Sequence, residues 1–187
     1  MLPTIDQIRN FVAADLEYAR MDLTSALEMI GNAPSTDARR SELLRLLAVT
    51  QIRLGSPLDA EDCLREALDI EEAAKAMTGQ YASGCTTAHR EVRFLLGVVA
   101  QKLQNFVVAE GQLSAVIAED DSHWRARFHL ALVRLSAAEP DFDDCAALLE
   151  RVLVDEPAHG SAQQILDKMH ERKAAAQIKL GPLKEEA

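Results

Sequence analysis

The sequence predicts an all-α protein of consecutive antiparallel helix pairs, with flanking helices at the N- and C-terminal ends. Two observations carry this. The 187 residues include only eight glycines and six prolines, fewer than the roughly 12% an average chain would hold, while apolar side chains recur at steps of three and four. The same hairpin-like pattern also returns at a fixed spacing, as stacked repeats require. A chain of this length reads as a single domain, 1–187, long enough to bury about 70% of its unfolded surface.

The first helix, within 4–31, starts after Pro3, with Thr4 able to cap it and Asp6 in its positive-dipole first turn. Ile5, Ile8, Phe11, Leu16, Leu23, Leu27 and Ile30 keep its apolar stripe. The run Asp22-Leu23-Thr24-Ser25 is a point where it could divide in two, and Gly31 with Pro34 stops it. The pattern restarts after 35–37, where Leu43, Leu44, Leu47 and Ile52 lead to Gly55. Ala60, Leu64, Ala67 and Leu68 then form a second stripe after a tight turn.

This hairpin recurs. Leu47-Ala48, Gly55, Ala60, Leu64 and Ala67-Leu68 match Leu96-Gly97, Gln104, Ala109, Leu113 and Val116-Ile117. A third copy reads Leu130-Ala131, Cys145, Leu149, Val152-Leu153 and Pro157, with two extra residues in its turn around Pro140. Leu96 and Leu130 are 34 residues apart; Leu47 and Leu96 are 49 apart, one period plus an insertion of 15.

In these residues the chain resembles the tetratricopeptide repeat (TPR) family, whose unit is a 34-residue pair of antiparallel helices. The resemblance implies a right-handed superhelix of such pairs, with repeats at 41–72, 90–121 and 124–157, an insertion at 73–89 and a capping helix at 160–180. Small residues are needed where backbones approach: Ala48, Gly97 and Ala131 in the first helices, and Ala60, Ala109 and Cys145 in the second. The copies are divergent. A bulky apolar residue is usual three before the large-small pair, and Leu44 fits, but Arg93 and Arg127 do not. The closing proline survives only as Pro157, with Glu72 and Asp121 at the matching places. A generic helical bundle is the competing architecture.

The insertion prolongs a helix through Met77 and then reads as loop over 78–87. Tyr81 is the natural anchor if this arm touches a partner; a tolerated surface excursion is the equal alternative. The acids of its stem read as a solvated face without Ca-loop spacing.

Composition sets several functions aside. With 20 Lys+Arg against 30 Asp+Glu, the net charge of -10 opposes phosphate backbones, so no nucleic-acid partner is expected. No apolar run is long enough for membrane insertion. Asp6 and Arg9 interrupt anything like a signal peptide, making the expected location cytoplasmic. Cys63, Cys85 and Cys145 form no disulfide framework or thiolate zinc pattern, and the five histidines are scattered, so no metal and no cofactor is expected. The histidines read as surface or helix-end residues. There is no nucleophile elbow and no phosphate-cradling glycine loop, so no catalytic residue is assigned and the protein is expected not to be an enzyme.

Stacked hairpins present a concave wall formed chiefly by first helices. By resemblance that wall draws on Arg45, Val49, Ile52 and Arg53, then Phe94, Val98, Gln101 and Lys102, then Arg125, Phe128, His129 and Leu132. Val49 and Val98 read slightly better as core. Mixed aromatic and basic groups suit a protein or peptide partner with apolar anchors and acidic character. Some family members clamp a terminal carboxylate of heat-shock chaperones, but the asparagines of that clamp are absent: Val49 and Leu95 occupy their places. The chain is therefore not expected to be a carboxylate-clamp cochaperone. The expected function is a non-enzymatic scaffold or adaptor within a larger assembly. The alternative is a small acidic chaperone like those of type III secretion systems, and an enzyme with a site built from distant residues comes third. Oligomeric state is not legible.

Overall fold

The computed structural model of the chain describes residues 5–31, 38–78 and 87–180. Tyr81, the loop around it and the Thr4 cap lie outside the described residues. Eight helices are present among the described residues, and no strand: α1 (Ile5–Ile30), α2 (Ala38–Leu54), α3 (Pro57–Thr78), α4 (Thr87–Lys102), α5 (Phe106–Glu119), α6 (Trp124–Leu135), α7 (Phe142–Asp155) and α8 (Gly160–Leu180). They fall into two compact units, Met1–Val116 and Ile117–Ala187.

In the first unit α1 packs on α2, α2 on α3, and α3 on α4. α1 does not divide at Asp22–Ser25. The Thr24 hydroxyl is satisfied inside the helix, donating to the Arg20 carbonyl one turn back at 2.8 Å. Leu44, Ala48, Ala60, Leu64, Ala67, Ile70, Val92, Leu96 and Val99 make one buried core. Ala48 and Ala60 are fully buried, which lets α2 and α3 close on each other. Pro57 opens α3, where its fixed φ fits and its missing N–H costs nothing. α3 then runs on through Thr78, a residue assigned to loop on sequence, and α4 begins at Thr87. Just before this extension α3 is tied to both neighbours. Glu71 accepts from the Ser41 hydroxyl of α2 at 2.6 Å, and Glu72 accepts from Arg93 of α4 at 3.0 Å.

The α2–α3 and α4–α5 turns share one geometry. Gly55, at φ 82°, donates to the Ile52 carbonyl, and Ser56 donates to that of Gln51. Gln104, at φ 61°, donates to Gln101, and Asn105 to Ala100. Both are left-handed helix stops with paired reverse bonds, so Gln104 holds a backbone conformation that suits glycine. Across the second hairpin a Cβ added to Gly97 would lie 2.7 Å from Leu113 Cγ and 2.9 Å from its Cδ2, so any larger residue there would force the Leu113 side chain to move.

In the second unit α6 packs on α7 and α7 on α8. Ala131, Cys145, Leu149, Val152, Ala162, Leu166 and Met169 form its core. Asp141 caps α7 by accepting from the backbone of Asp143 and Asp144, at 3.0 and 3.1 Å, which gives the longer turn around Pro140 a purpose.

The two sequence departures answer each other. Arg93 and Arg127 replace apolar residues, while Glu72 and Asp121 replace closing prolines, and in the structure Arg93 pairs with Glu72 and Arg127 with Asp121. An ion pair ties the end of one hairpin to the start of the next.

Candidate functional site

In the first unit the residues expected to line a wall sit on α2 and α4, which touch directly. Arg45 is half-buried and donates to Glu42 from Nε at 2.8 Å and from a terminal nitrogen at 2.6 Å. That hydrogen bond holds the Glu42 carboxyl below the usual carboxylate range, and Glu91 of α4 also draws on the guanidinium. Arg45 is thus a cation fixed beside both helices. Val49 and Val98 are half-buried at the equivalent places one turn on, Arg53 and Lys102 are exposed in the last turns, and Gln101 is half-buried. Phe94 is buried, 7% exposed, and so offers little surface for contact.

In the second unit α6 carries the remaining four. Arg125 is exposed and lies over the Trp124 ring, 5.3 Å from its centroid. Phe128 is half-buried, with its ring 4.4 Å from His159 at 46° and 5.7 Å from His129 at 75°. Trp124 meets His159 edge-on at 5.2 Å. Leu132 is half-buried a turn further on. Arg125, Trp124, Phe128, His129 and His159 form one aromatic and basic cluster.

Two histidines set its frame. His123 Nδ1 accepts from the Ala126 amide and His159 Nδ1 from the Ala162 amide, both at 3.1 Å, satisfying first-turn donors of α6 and α8. Those bonds fix each ring and require an unprotonated Nδ1. Trp124 and His159 were missed on sequence as cluster members. The signal was legible: His-x-x-Ala occurs at 123–126 and again at 159–162, and Trp124 is the sole tryptophan. The sequence predicts a surface or helix-end place for His89; it lies near the start of α4 but is buried, 2% exposed, and its Nε2 accepts from Arg93 at 3.2 Å.

The chemistry elsewhere is plain. Burial pushes the thiols of Cys63 and Cys145 above their ordinary range, the reverse of an activated nucleophile. No metal-holding group of His, Cys, Asp or Glu occurs among the described residues. No helix among them is long and apolar enough to cross a membrane. A cleft of about 630 Å³ between α7 and α8 is lined by Phe142, Ala146, Met169 and Lys173, and includes none of the predicted wall residues.

No family model matches the chain, and no curated protein sequence does. Solved structures do. The first TPR of Spaghetti (RPAP3), bound to the HSP90 peptide SRMEEVD, is similar over 76% of this chain and 99% of its own, with a TM-score of 0.60 at 18% identity. MamA is similar over 93% of this chain and 87% of its own, with a TM-score of 0.66 at 20% identity. The Arabidopsis OM64 TPR domain covers 72% of this chain and 97% of its own, at 0.58 and 15%. The fold is therefore that of divergent tetratricopeptide repeats, all-helical and packed in consecutive pairs.

Proposed function

We propose that the chain is a non-enzymatic interaction module that holds a peptide or helix of a partner protein, as a scaffold or adaptor in a larger cytoplasmic assembly. The observation that carries this reading is the α6 cluster. An exposed arginine stacked on a tryptophan, beside half-buried Phe128 and Leu132, offers what a binding hot spot uses: rigid aromatic area with a charge held ready. The likeness to a TPR solved with a peptide supports it. In the first unit, Arg45, Val49, Arg53, Val98, Gln101 and Lys102 form a second contact surface of the same kind, in which the buried Phe94 takes little part.

Both surfaces favour a partner with apolar anchors and acidic flanks, since each carries arginine or lysine despite the acidic whole. The missing clamp asparagines argue for recognition of an internal segment rather than a free carboxylate. The test is Arg125→Glu, measured against partners captured from the native cell and then against the synthetic segment that binds. Affinity should fall about ten-fold, near 1.4 kcal/mol, with an unchanged melting temperature. Unchanged affinity for every captured partner would remove α6 from the binding surface. Phe128→Ala is the poorer probe, because it also strips the ring packed on His159.

A further inference from the structure

The described part of α1 has two faces of different chemistry. Leu16, Ala19, Leu23, Ala26, Leu27 and Ile30 are half-buried on one side. On the other, Tyr18, Met21 and Met29 are 68%, 58% and 83% exposed. At 3.6 residues per turn, Tyr18, Met21, Ser25 and Met29 share an arc of about 80°, a continuous stripe along the outside of the helix. Asp15 and Asp22 border it on one side, and Glu17 and Glu28 on the other, all exposed. Glu17 is neutralised by Arg20, whose Nε donates to it at 2.8 Å, so Asp15, Asp22 and Glu28 set the net charge of the face.

A stripe of tyrosine and methionine, interrupted only by the small Ser25 and with acids along both borders, complements a helix whose own apolar stripe is bordered by Lys and Arg. Methionine suits such a surface, because its flexible, polarisable thioether packs against side chains of many shapes. A second copy of this chain would set acids against acids, so like-charge repulsion opposes self-pairing through this face. We propose that the outer face of α1 docks a basic amphipathic helix of a partner protein. This is a separate surface from the wall of first helices, and its charge preference is the opposite one.

The experiment uses the full chain and a fluorescent Leu/Lys peptide with leucines at helical spacing, compared with a scrambled peptide of the same composition. Fluorescence anisotropy at physiological salt should give micromolar binding of the patterned peptide and binding at least about ten-fold weaker of the scrambled one. Met21→Gln with Met29→Gln should weaken the patterned peptide about ten-fold, with the circular dichroism melt unchanged; Met29→Gln alone serves if the pair alters the melt. Asp15→Asn, Asp22→Asn and Glu28→Gln together should weaken binding and flatten its salt dependence. Equal affinity for the scrambled peptide, or methionine variants that bind like the parent, would overturn the proposal. So would a dimer seen by sedimentation that the methionine variants dissolve, since that would make the occupant a second copy.

Discussion

The α4–α5 hairpin and the α6–α7 hairpin are copies of one pattern that solve the same three packing problems differently. Where the first helix meets the second, one uses Gly97 and the other Ala131, both buried. Where the chain turns, one forces Gln104 into a left-handed stop, and the other spends two more residues and caps α7 with Asp141. At the same repeat position, Arg93 is half-buried against a half-exposed Glu72, while the Arg127 side chain is only 4% exposed and also donates to Asp155 at 2.7 Å. A repeat therefore fixes the demand at each position without fixing the residue that meets it.

The sharpest way to break the comparison is at the close approach. Gly97→Leu should lower stability by about 3 kcal/mol, the upper end for overpacking, because even a Cβ would sit 2.7 Å from Leu113. Ala131→Gly, which only removes a methyl and adds backbone freedom, should cost about 1 kcal/mol. Urea melts of both variants rank the two contacts; equal losses would mean that the α4–α5 approach relaxes as easily as its counterpart.

Arg127→Ala comes next, at about 2 kcal/mol. Removing one partner of a buried ion pair costs about 3–5 kcal/mol when the remaining charge is trapped, but here Asp121 reaches solvent. Arg93→Ala should cost less, about 1 kcal/mol, because its pair with Glu72 is half-exposed and most of the loss is the donor to the buried His89 ring. The two melts test whether burial, rather than pairing itself, sets the value of this arginine.

Much of this frame was legible. The spacing of Leu47, Leu96 and Leu130 and the small residues beside them marked the hairpins, because close helix packing limits side-chain volume wherever it occurs. The arginines at 93 and 127 read as defects, since a pairing with Glu72 or Asp121 is visible only once the end of one hairpin lies beside the start of the next. Among the proposed contacts, Arg45, Arg125 and Phe128 stand on the helices expected of them. Sequence period alone does not separate a buried Phe94 from a half-buried Phe128, since both occupy the same repeat place. The extent of burial depends on what lies across from each, and for Phe128 that is His159, from a turn whose capping role only the fold reveals.

The turn offers the gentlest change and the only expected gain. Gln104 and Gly55 sit in the same pattern of reverse bonds, Gln104 to Gln101 and Asn105 to Ala100 in one turn, Gly55 to Ile52 and Ser56 to Gln51 in the other. A residue with a Cβ loses about 1–2 kcal/mol in the left-handed region, whereas glycine is free there. Glycine also gives the unfolded chain more freedom, which offsets part of the benefit. Gln104→Gly should therefore stabilise by about 0.5 kcal/mol, the difference of those opposing effects. Gly55→Gln should cost more than this gain, about 1 kcal/mol, because the strain then enters a turn that lacks it. A Gln104→Gly melt at or below that of the parent would mean that the glutamine side chain makes a compensating contact, and the two turns would no longer be equivalent.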